Sequence, residues 1–584
     1  MAATAVAANA VRRLAIQSGS VVAIRPDRWH SEPTPTFGGV AIFAVVLTVI
    51  VVAAGLGVVG GWAQAFMVML GAAAMFAMGV MDDRRNLPPL PRLLAALVAG
   101  ALVLFGLSAA AGVVEPWWKT IILVILFGGT VHAFNQVDNM DGVAGGLSLV
   151  AAVAFVVVFG DLVNSLAVVL LTALGGAMAG FLIWNVKPAR LFMGNCGSFF
   201  AGAILAGAGL SVVVRPGDSF WFDGLAVCFI LLVPITDTVF VAILRGLAGR
   251  NATRGGTDHL SHRLVRLGLS ERSAAATLHA IALVGATSAW FVHRNGSAGL
   301  AVAAIVLAAM MVLGVYAARV PSYDGDDFKV LQQGALGPFL RDLTLRWHAF
   351  ELLLDTVLIA AVMYLAYRLR FWDERFEMFL PMFTTSLPLI LACKLLALYV
   401  SGVYDRMWGF FGIADLLAIV RGVVFGSVGT VFLAAYLDRF ERFSRGVFVI
   451  DGVLLTAALV TARILFKTFG ESTPFQLGRR SKRALVYGAG AGGQLLIREL
   501  RANPSWEMAP VAVVDDDKGK HRKLLLGVRV VGGLESLELA LDRYHVDEVV
   551  LSVASLKPET EDAVRRICQA RAIAVRRFRV GMSD

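Results

Sequence analysis

Two carboxylates and an amide stand close together between long apolar runs of this sequence. Residues 131–146 read VHAFNQVDNMDGVAGG and contain Asn135, Asp138 and Asp141. A charged side chain within a bilayer costs about 2.5–3.5 kcal/mol even on insertion scales, so such residues usually serve a function. Asp138 and Asp141 are three apart and would share one face if the end of that span is helical. Carboxylates that meet at a membrane surface favour a hard cation such as Mg²⁺, or Mn²⁺ as the alternative, which joins protein oxygens to substrate phosphates.

Two further clusters carry groups suited to the same chemistry. Asp82 and Asp83 end an apolar run in MDDRRNLPPLPRLL, where the prolines prevent the helix from continuing. Residues 254–263 read RGGTDHLSHR, and their arginine and histidine side chains are donors suited to a diphosphate. The donors of this segment are Arg254, His259, His262 and Arg263. The alternative interpretation makes each acidic pair a solvated helix end.

The composition identifies the class of protein that must hold these clusters. Of the 584 residues 58% are hydrophobic and 16% are charged, and the mean hydropathy is +0.74, which is typical of a polytopic membrane protein. The net charge of +10 resides in short loops between apolar runs. That pattern indicates membrane topology and affinity for anionic phosphates rather than a nucleic-acid partner. The four cysteines form no CxxC pair, so they indicate neither a zinc site nor a disulfide framework.

Apolar runs long enough to cross about 30 Å of hydrocarbon predict ten spans followed by four more. The first ten lie near 38–59, 62–81, 92–112, 117–134, 143–160, 164–184, 198–214, 222–244, 275–292 and 297–317. The last four lie near 349–370, 379–400, 415–437 and 447–466. The predicted fold is therefore a polytopic α-helical membrane protein with about 10 + 4 spans.

Alternating sides along the first ten spans places most lysine and arginine residues in loops of one side. The opposite loops carry only Lys119, Arg215 and Arg294. By the positive-inside rule the basic side is cytoplasmic, which predicts a multi-pass protein of the cell inner membrane. The same alternation puts the polar clusters at 82–92, 132–141, 187–198 and 254–263 on that cytoplasmic face.

Six motifs, in order, resemble those of the polyprenyl-phosphate N-acetylhexosamine-1-phosphate transferases, the membrane superfamily that includes the phospho-MurNAc-pentapeptide translocase. They are RPDRWHSEPTPTFGGVAIF, DDRRNLPPLPRL, FNQVDNMDGVAGG, ARLFMGNCGSFFAG, VPITDTVFVAILR and DHLSHRLVRLGLS. The resemblance covers residues 22–320. It implies Mg²⁺-dependent transfer of a sugar-1-phosphate from a UDP-N-acetylhexosamine to polyprenyl phosphate, with release of UMP.

The resemblance also implies roles for individual residues. Asp82 and Asp83 match the aspartate pair that handles metal and lipid phosphate, with one of them proposed as a general base. The second aspartate motif supplies Asp138 and Asp141, with Asn135 leading it. The histidine loop with His259 and His262 engages the diphosphate and the sugar. It also implies Asp237 as the intramembrane aspartate, with either a direct or a structural role, and Asp82, Asp141 and Asn195 as metal ligands. Asn135, Arg254 and Arg263 are expected to bind substrate, the two arginines because their guanidinium groups suit a diphosphate.

Three features depart from the family pattern. Asn195 stands in GNCGS where the family has a metal-binding aspartate, which predicts weaker metal affinity, a different metal requirement or an inactive enzyme. His132 replaces the first asparagine of the NxxN motif. Residues 1–20 are too short and too polar for the first family helix, which is expected to be missing.

The C-terminal half predicts a separate module. A polar linker, residues 321–345, precedes a four-helix membrane domain at 346–470 and an α/β Rossmann-like domain at 480–584. In the latter a strand leads into Gly488, Gly490 and Gly493, a helix follows, and Asp515 closes the next strand. This context is typical of a dinucleotide site, with the helix N-terminus for the diphosphate and the acid for the ribose.

This half resembles the N-terminal part of membrane-bound nucleotide-sugar dehydratases and epimerases, and also the four-helix and Rossmann-like part of polyprenyl glycosylphosphotransferases. In both families a catalytic domain comes afterwards, and no YxxxK-type dehydratase site follows here. We therefore expect the domain either to bind NAD or a nucleotide-sugar as a sensor or to act as a vestigial scaffold.

The sequence thus predicts a membrane transferase that initiates a lipid-linked glycan, in contact with membrane lipid and with a homo-oligomer as one possible state. The alternative is a catalytically silent scaffold or regulator that senses nucleotide through its C-terminal domain, which also faces the cytoplasm. A transporter is disfavoured, because the polar residues collect on one face and not at midplane sites within broken helices.

Overall fold

Long apolar segments make α-helices the main element of this chain, because a helix satisfies its own backbone N–H and C=O groups within hydrocarbon. The computed structural model describes residues 1–19, 21–22, 34–57, 62–161, 165–215, 220–247, 256, 258–296, 299–318, 343–371, 375–405, 411–438, 445–472, 482–503, 506–552 and 556–578.

Thirteen helices are described in the first part of the chain. They are α1 (Ala2–Gln17), α2 (Gly38–Gly55), α3 (Trp62–Arg85), α4 (Pro89–Ala111), α5 (Trp117–Val137), α6 (Val143–Phe159), α7 (Ser165–Asn185), α8 (Gly194–Val213), α9 (Phe220–Ile230), α10 (Leu232–Leu247), α11 (Leu260–Arg266), α12 (Glu271–Asn295) and α13 (Gly299–Ala318). A short antiparallel pair, β1 (Val21–Val22) and β2 (Thr34–Pro35), lies between α1 and α2.

Helix α8 forms the centre of this bundle. Its apolar window is 94% buried, and α2, α3 and α5 pack around it. Close packing needs small residues: a Cβ on Gly79 of α3 would lie 2.4 Å from the Cα of Cys196 in α8. The contact between α3 and α8 brings the ends of two motif-bearing helices together.

A proline-containing turn separates α3 from α4 at the edge of the bundle. The chain leaves α3 at Arg85, and α4 begins at Pro89, as the proline pattern predicts.

Helix α1 has 16 residues, packs against α2 and α7, and accepts a hydrogen bond at the Ala5 carbonyl from Trp184 Nε1 over 2.9 Å.

The predicted number of fourteen spans is not confirmed. In the described part of the chain ten helices are long and apolar enough to cross a membrane, or eleven if one bent pair counts as a span. The predicted span 222–244 is that pair, with α9 and α10 bent by 82°. In three other predicted spans the apolar stretch that is described throughout is shorter, namely Val143–Phe159, Val302–Gly314 and Thr385–Val400. The last two stretches belong to the longer helices Gly299–Ala318 and Arg375–Val400. Hydropathy does not register such a break, because both halves of the pair are apolar.

Four further helices follow the undescribed residues 319–342. They are α14 (Leu343–Arg370), α15 (Arg375–Val400), α16 (Ile413–Asp438) and α17 (Arg445–Ser472). Buried ion pairs join α17 to its neighbours: Arg463 contacts Asp355 of α14 over 2.7 Å, and Lys394 of α15 pairs with Asp451. Because each partner is at most 2% exposed, each charge depends on the other for compensation.

The C-terminal residues build a parallel α/β sheet, which confirms the predicted Rossmann-like class. The elements are β3 (Lys482–Tyr487), α18 (Ala491–Ala502), β4 (Met508–Val514), β5 (Leu524–Leu525), β6 (Val528–Gly532), α19 (Leu537–Arg543), β7 (Glu548–Leu551), α20 (Pro558–Gln569) and β8 (Ala574–Arg577). The strand order is β5-β6-β4-β3-β7-β8, and among the described strands of this sheet only β5 is antiparallel to its neighbour. The order reverses between β3 and β7, where doubly wound sheets bind ligands.

Two compact units emerge from the contacts, residues 1–473 and 474–584. The predicted linker at 321–345 lies largely outside the described residues. The boundary that it sets between two membrane modules therefore stays a prediction.

Candidate active site

Asp82, the first aspartate of the Asp82–Asp83 pair, is held by residues of the turn between α3 and α4 and of the start of α4. Asp82 lies near the end of α3 and is 1% exposed. Its Oδ1 accepts a hydrogen bond from the Leu87 backbone N–H over 2.8 Å, and its Oδ2 accepts one from Arg92 Nη1 over 3.0 Å. Arg92 is thus brought from the first turns of α4 to the carboxylate, where its charge compensates that of Asp82.

Asn195 connects this aspartate to the second motif. Its Nδ2 donates to Asp82 Oδ2 over 2.9 Å, and its Oδ1 accepts from Asn135 Nδ2 over 2.7 Å. The Asn135 amide also donates to Ser198 Oγ over 3.0 Å. Three predicted site residues from α3, α5 and α8 therefore form one hydrogen-bond network.

Asp83 binds the N-terminus of α8. Its two carboxylate oxygens accept hydrogen bonds from the backbone N–H groups of Asn195 (2.8 Å) and Cys196 (3.0 Å). An anion at this end is favoured by the unpaired N–H groups and by the helix dipole. Gly194 permits the approach, because it has a φ of +75° and a Cβ there would lie 2.9 Å from Asp83 Oδ2. In this arrangement the Asp83 carboxylate caps the N-terminus of α8.

Asp138 and Asp141 do not share a helical face, because α5 ends at Val137. Asp138 is the C-cap residue, with φ −77° and ψ 47°, and Asp141 lies in the following turn. The prediction from their spacing was conditional on a helical end, and that condition is not met. Asp141 Oδ2 instead accepts a hydrogen bond from the Ala189 backbone N–H over 3.0 Å.

Residues 138–142, here called the aspartate loop, are held from two further sides. Asn185 Oδ1 accepts a hydrogen bond from the Gly142 N–H over 3.0 Å. Ser261 Oγ, at the start of α11, donates to Asn139 Oδ1 over 2.7 Å. The last contact joins the aspartate loop to the segment that carries both predicted histidines.

The predicted intramembrane aspartate orients the histidine loop, residues 258–263. Asp237 of α10 is 3% exposed, and its Oδ2 lies 2.7 Å from His259 Nδ1. Its Oδ1 accepts the Leu260 N–H over 2.7 Å. A carboxylate in this place fixes both the ring orientation of His259 and the first turn of α11.

The predicted diphosphate ligands of this loop differ in their surroundings. Arg263 is 4% exposed, and its guanidinium donates to the carbonyls of Asp258 (2.8 Å) and Ala317 (2.9 Å), so it supports α11 and α13. Asp258 pairs with Arg245 through two hydrogen bonds of 2.7 and 2.6 Å. Arg254 lies outside the described residues.

His262 is 3% exposed within the same loop. Burial lowers its pKa to about 4, and the charges of His259 and Arg266 act in the same direction. The imidazole is therefore neutral at neutral pH. A neutral ring can still donate one hydrogen bond to a substrate oxygen.

The predicted metal ligands do not offer an open ligand set. Both oxygens of Asp82 and the side-chain oxygen of Asn195 already accept hydrogen bonds from protein N–H groups. Asp141 binds the backbone of Ala189. No group of three or more His, Cys, Asp or Glu side chains close enough to hold an ion occurs among the residues that the structure describes. These residues do not fit a bound divalent ion in this arrangement.

His132, the second departure from the family pattern, lies on α5 near this network. Its ring packs edge-on against Phe199, with centroids 5.7 Å apart. Its Nε2 is buried, and no hydrogen-bond partner for that atom lies within the described ranges.

Several residues that bond to the network or to the aspartate loop were not predicted from the sequence. They are Arg92, Asn139, Asn185, Ser198 and Ser261. Four of them lie inside the quoted motifs, but their common polar residue types did not single them out. Their only signal is position, because all five stand within or beside the predicted clusters.

The predicted glycine loop of the C-terminal unit follows β3. Gly488 has a φ of +112°, and a Cβ on Gly493 would lie 2.0 Å from the Gly488 carbonyl oxygen. A Cβ on Gly490 would meet no atom of the described residues within 4 Å. Ser552, directly after β7, donates its hydroxyl to the Tyr487 and Gly488 carbonyls over 2.9 and 3.0 Å. The loop therefore stands at the point where the strand order reverses.

Asp515 braces this loop. Its Oδ2 accepts the Ala489 N–H over 2.6 Å, its Oδ1 accepts the Asp517 N–H over 2.9 Å, and Lys520 Nζ lies 3.2 Å away. Burial would raise the pKa of Asp515, but these hydrogen bonds and the Lys520 charge lower it below the usual value. Its predicted contact with a ribose stays a prediction.

Comparisons with known proteins agree with both halves of this picture. The model of glycosyl transferase family 4 matches residues 65–213, and that of a CoA-binding domain matches residues 400–572. The capsular polysaccharide biosynthesis protein CapD of Staphylococcus aureus is 25% identical over 179 residues, which are 30% of this chain and 29% of CapD.

Two transferase relatives are matched by this chain over most of their own length. The decaprenyl-phosphate N-acetylglucosaminephosphotransferase of Mycolicibacterium smegmatis is 30% identical over 339 residues, 52% of this chain and 83% of that protein. The "Probable undecaprenyl-phosphate N-acetylglucosaminyl 1-phosphate transferase" of Bacillus subtilis is 30% identical over 297 residues, 48% of this chain and 79% of that protein. With its apolar helices, this chain is a multi-pass membrane protein that belongs to glycosyl transferase family 4.

Proposed function

We propose that this protein transfers N-acetylhexosamine-1-phosphate from a UDP-sugar to polyprenyl phosphate, releasing UMP and initiating a lipid-linked glycan. The observation that carries the proposal is the network in which Asn195 joins Asp82 to Asn135. It brings three separate sequence motifs to one site. The names of the two transferase relatives support N-acetylglucosamine as the sugar.

In this reaction an oxygen of the lipid phosphate attacks the β-phosphorus of the UDP-sugar. The bond from that phosphorus to the bridging oxygen breaks, and UMP leaves with the bridging oxygen. Such transfers depend mainly on positioning and on charge compensation. Because a lipid phosphate is already anionic at neutral pH, the attack needs no general base.

The residues of the chain divide these tasks. We assign the substrate contacts to His259, which Asp237 orients, and to the neutral ring of His262. Arg92 supplies positive charge beside Asp82. The resemblance implies Mg²⁺ or Mn²⁺ as cofactor, but no step is assigned to an ion because the predicted ligands are engaged with one another.

The site is proposed to face the cytoplasm from the inner membrane. The positive-inside pattern of the loops supports this orientation. The polyprenyl phosphate reaches the site from the lipid bilayer, and the UDP-sugar reaches it from the aqueous side. A homo-oligomer stays a prediction.

We further propose that residues 480–584 bind NAD or a nucleotide-sugar. Gly490 lies at the reversal of strand order, and no atom in the described part of the chain would contact a Cβ there, which supports a ligand at this position. A regulator that senses nucleotide through this unit is the second candidate function. It predicts nucleotide binding without UMP release.

The test is UMP release by the purified full chain in detergent, with undecaprenyl phosphate and a panel of UDP-N-acetylhexosamines. Asp82→Asn and Asp141→Asn are expected to lose at least about a hundredfold in rate, since each carboxylate is bonded within the site. Asp161→Asn is the matched control, because its side chain is 93% exposed and outside the site. Full activity of both site variants would refute the assignment. Absence of UMP release beside an active relative would favour the regulator.

A further inference from the structure

The amide of Asn195 closes a hydrogen-bond network at the position where the sequence predicts a metal ligand. Asp82 Oδ1 accepts from the Leu87 N–H, and Asp82 Oδ2 accepts from Arg92 and from Asn195. Asn195 Oδ1 accepts from Asn135. Each of these three oxygens, the atoms that would ligate a hard cation, therefore faces an N–H donor.

The charge of Asp82 is also compensated without an ion. Asp82 has a side chain that is 2% exposed, and the Arg92 guanidinium lies 3.0 Å from it. A divalent cation at Asp82 would have to displace hydrogen bonds and would lie beside a permanent positive charge. Both effects oppose metal binding.

The orientation of the Asn195 amide follows from its neighbours. The Asp82 carboxylate only accepts hydrogen bonds, so the NH₂ group of Asn195 must face it, at 2.9 Å. An aspartate at this position would place a second anionic oxygen against Asp82. Two carboxylates at such a distance need a shared proton or a cation between them.

We propose that the network of Asp82, Arg92, Asn135 and Asn195 holds no divalent cation, and that the amide of Asn195 is what closes this position to metal. The inference deepens the proposed transferase function, because it concerns the same site. It does not depend on turnover, since metal binding is measured without substrates.

The experiment is a titration of Mn²⁺ into the purified full chain in detergent, with free Mn²⁺ followed by its electron paramagnetic resonance signal. The wild type and Asp82→Asn should bind Mn²⁺ equally. Asn195→Asp should gain one site per chain, at least tenfold tighter than any binding by the wild type at this position. That site should disappear in the double variant Asp82→Asn/Asn195→Asp.

Two results would overturn the proposal. One is a Mn²⁺ site in the wild type that Asp82→Asn weakens tenfold or more. The other is an Asn195→Asp protein that folds, judged by its melting temperature, and gains no site dependent on Asp82. If Asp82→Asn does not fold, Asp82→Ser takes its place in the comparison. UMP release is measured separately, so failure of the transferase assignment is distinguishable from failure of this proposal.

Discussion

Replacing His262 with glutamine tests the burial of the histidine loop through the pH dependence of the stability of the protein. The folded protein holds the pKa of His262 at about 4, whereas an unfolded chain has a value near 6.5. As pH falls below 6.5, the unfolded state binds a proton that the folded state does not, so stability falls until the pH reaches about 4. At pH 5 the loss from this one group is about 2 kcal/mol, and at pH 7.5 it is close to zero.

The assay is thermal unfolding of the full chain in detergent at pH 7.5 and at pH 5.0. The difference in melting temperature between the two pH values should be smaller in His262→Gln than in the wild type by roughly 2–4 °C. Comparing pH differences removes the effect of the substitution itself and of the other titrating groups. His545→Gln is the control, because His545 is exposed and should leave the wild-type difference unchanged. An equal pH dependence in His262→Gln and the wild type would refute the burial argument.

Three further outcomes follow from individual contacts. Ser261→Ala removes the 2.7 Å hydrogen bond from the histidine loop to the aspartate loop and should lower the rate of UMP release by up to about tenfold; an unchanged rate would contradict that coupling. Lys394→Met leaves the buried carboxylate of Asp451 without compensation and should cost about 3–5 kcal/mol in stability, measured by melting temperature, with recovery when Asp451→Asn is added. Asp515→Asn weakens charge-assisted hydrogen bonds to the glycine loop, so amide hydrogen exchange at residues 488–493 should accelerate by at least about tenfold; unchanged exchange would contradict the bracing role.

The helical class and the α/β class of the C-terminal unit were predictable, because each follows from a local pattern. Spans follow from hydropathy, and the β3–α18 turn follows from glycine spacing. The bend between α9 and α10 was not predictable, since the residues on both sides of Leu231 are apolar and the break depends on packing. Whether α5 continues past Val137 could not be predicted either, because the condition of a helical end cannot be tested without tertiary contacts.

Three members of the network were predictable from the sequence, and its hydrogen bonds were not. Asp82, Asn135 and Asn195 were chosen as site residues for their chemical type, and they do meet. Their mutual hydrogen bonds were not expected, because the approach of α3 and α8 depends on small residues that any membrane helix contains. Arg263 was expected on substrate because of its charge, yet it binds the Ala317 carbonyl, a partner 54 residues away.

The most direct test of the proposed function follows the β-phosphorus of the donor. UDP-N-acetylglucosamine labelled with ³²P at the β-position is incubated with the full chain and undecaprenyl phosphate, and the organic and aqueous phases are separated. Sugar-1-phosphate transfer predicts that the label moves into the lipid phase while unlabelled UMP appears in water, and that Asp82→Asn abolishes both. Label that stays in water as UDP while the sugar enters the lipid would mean transfer of the sugar alone and would contradict the account.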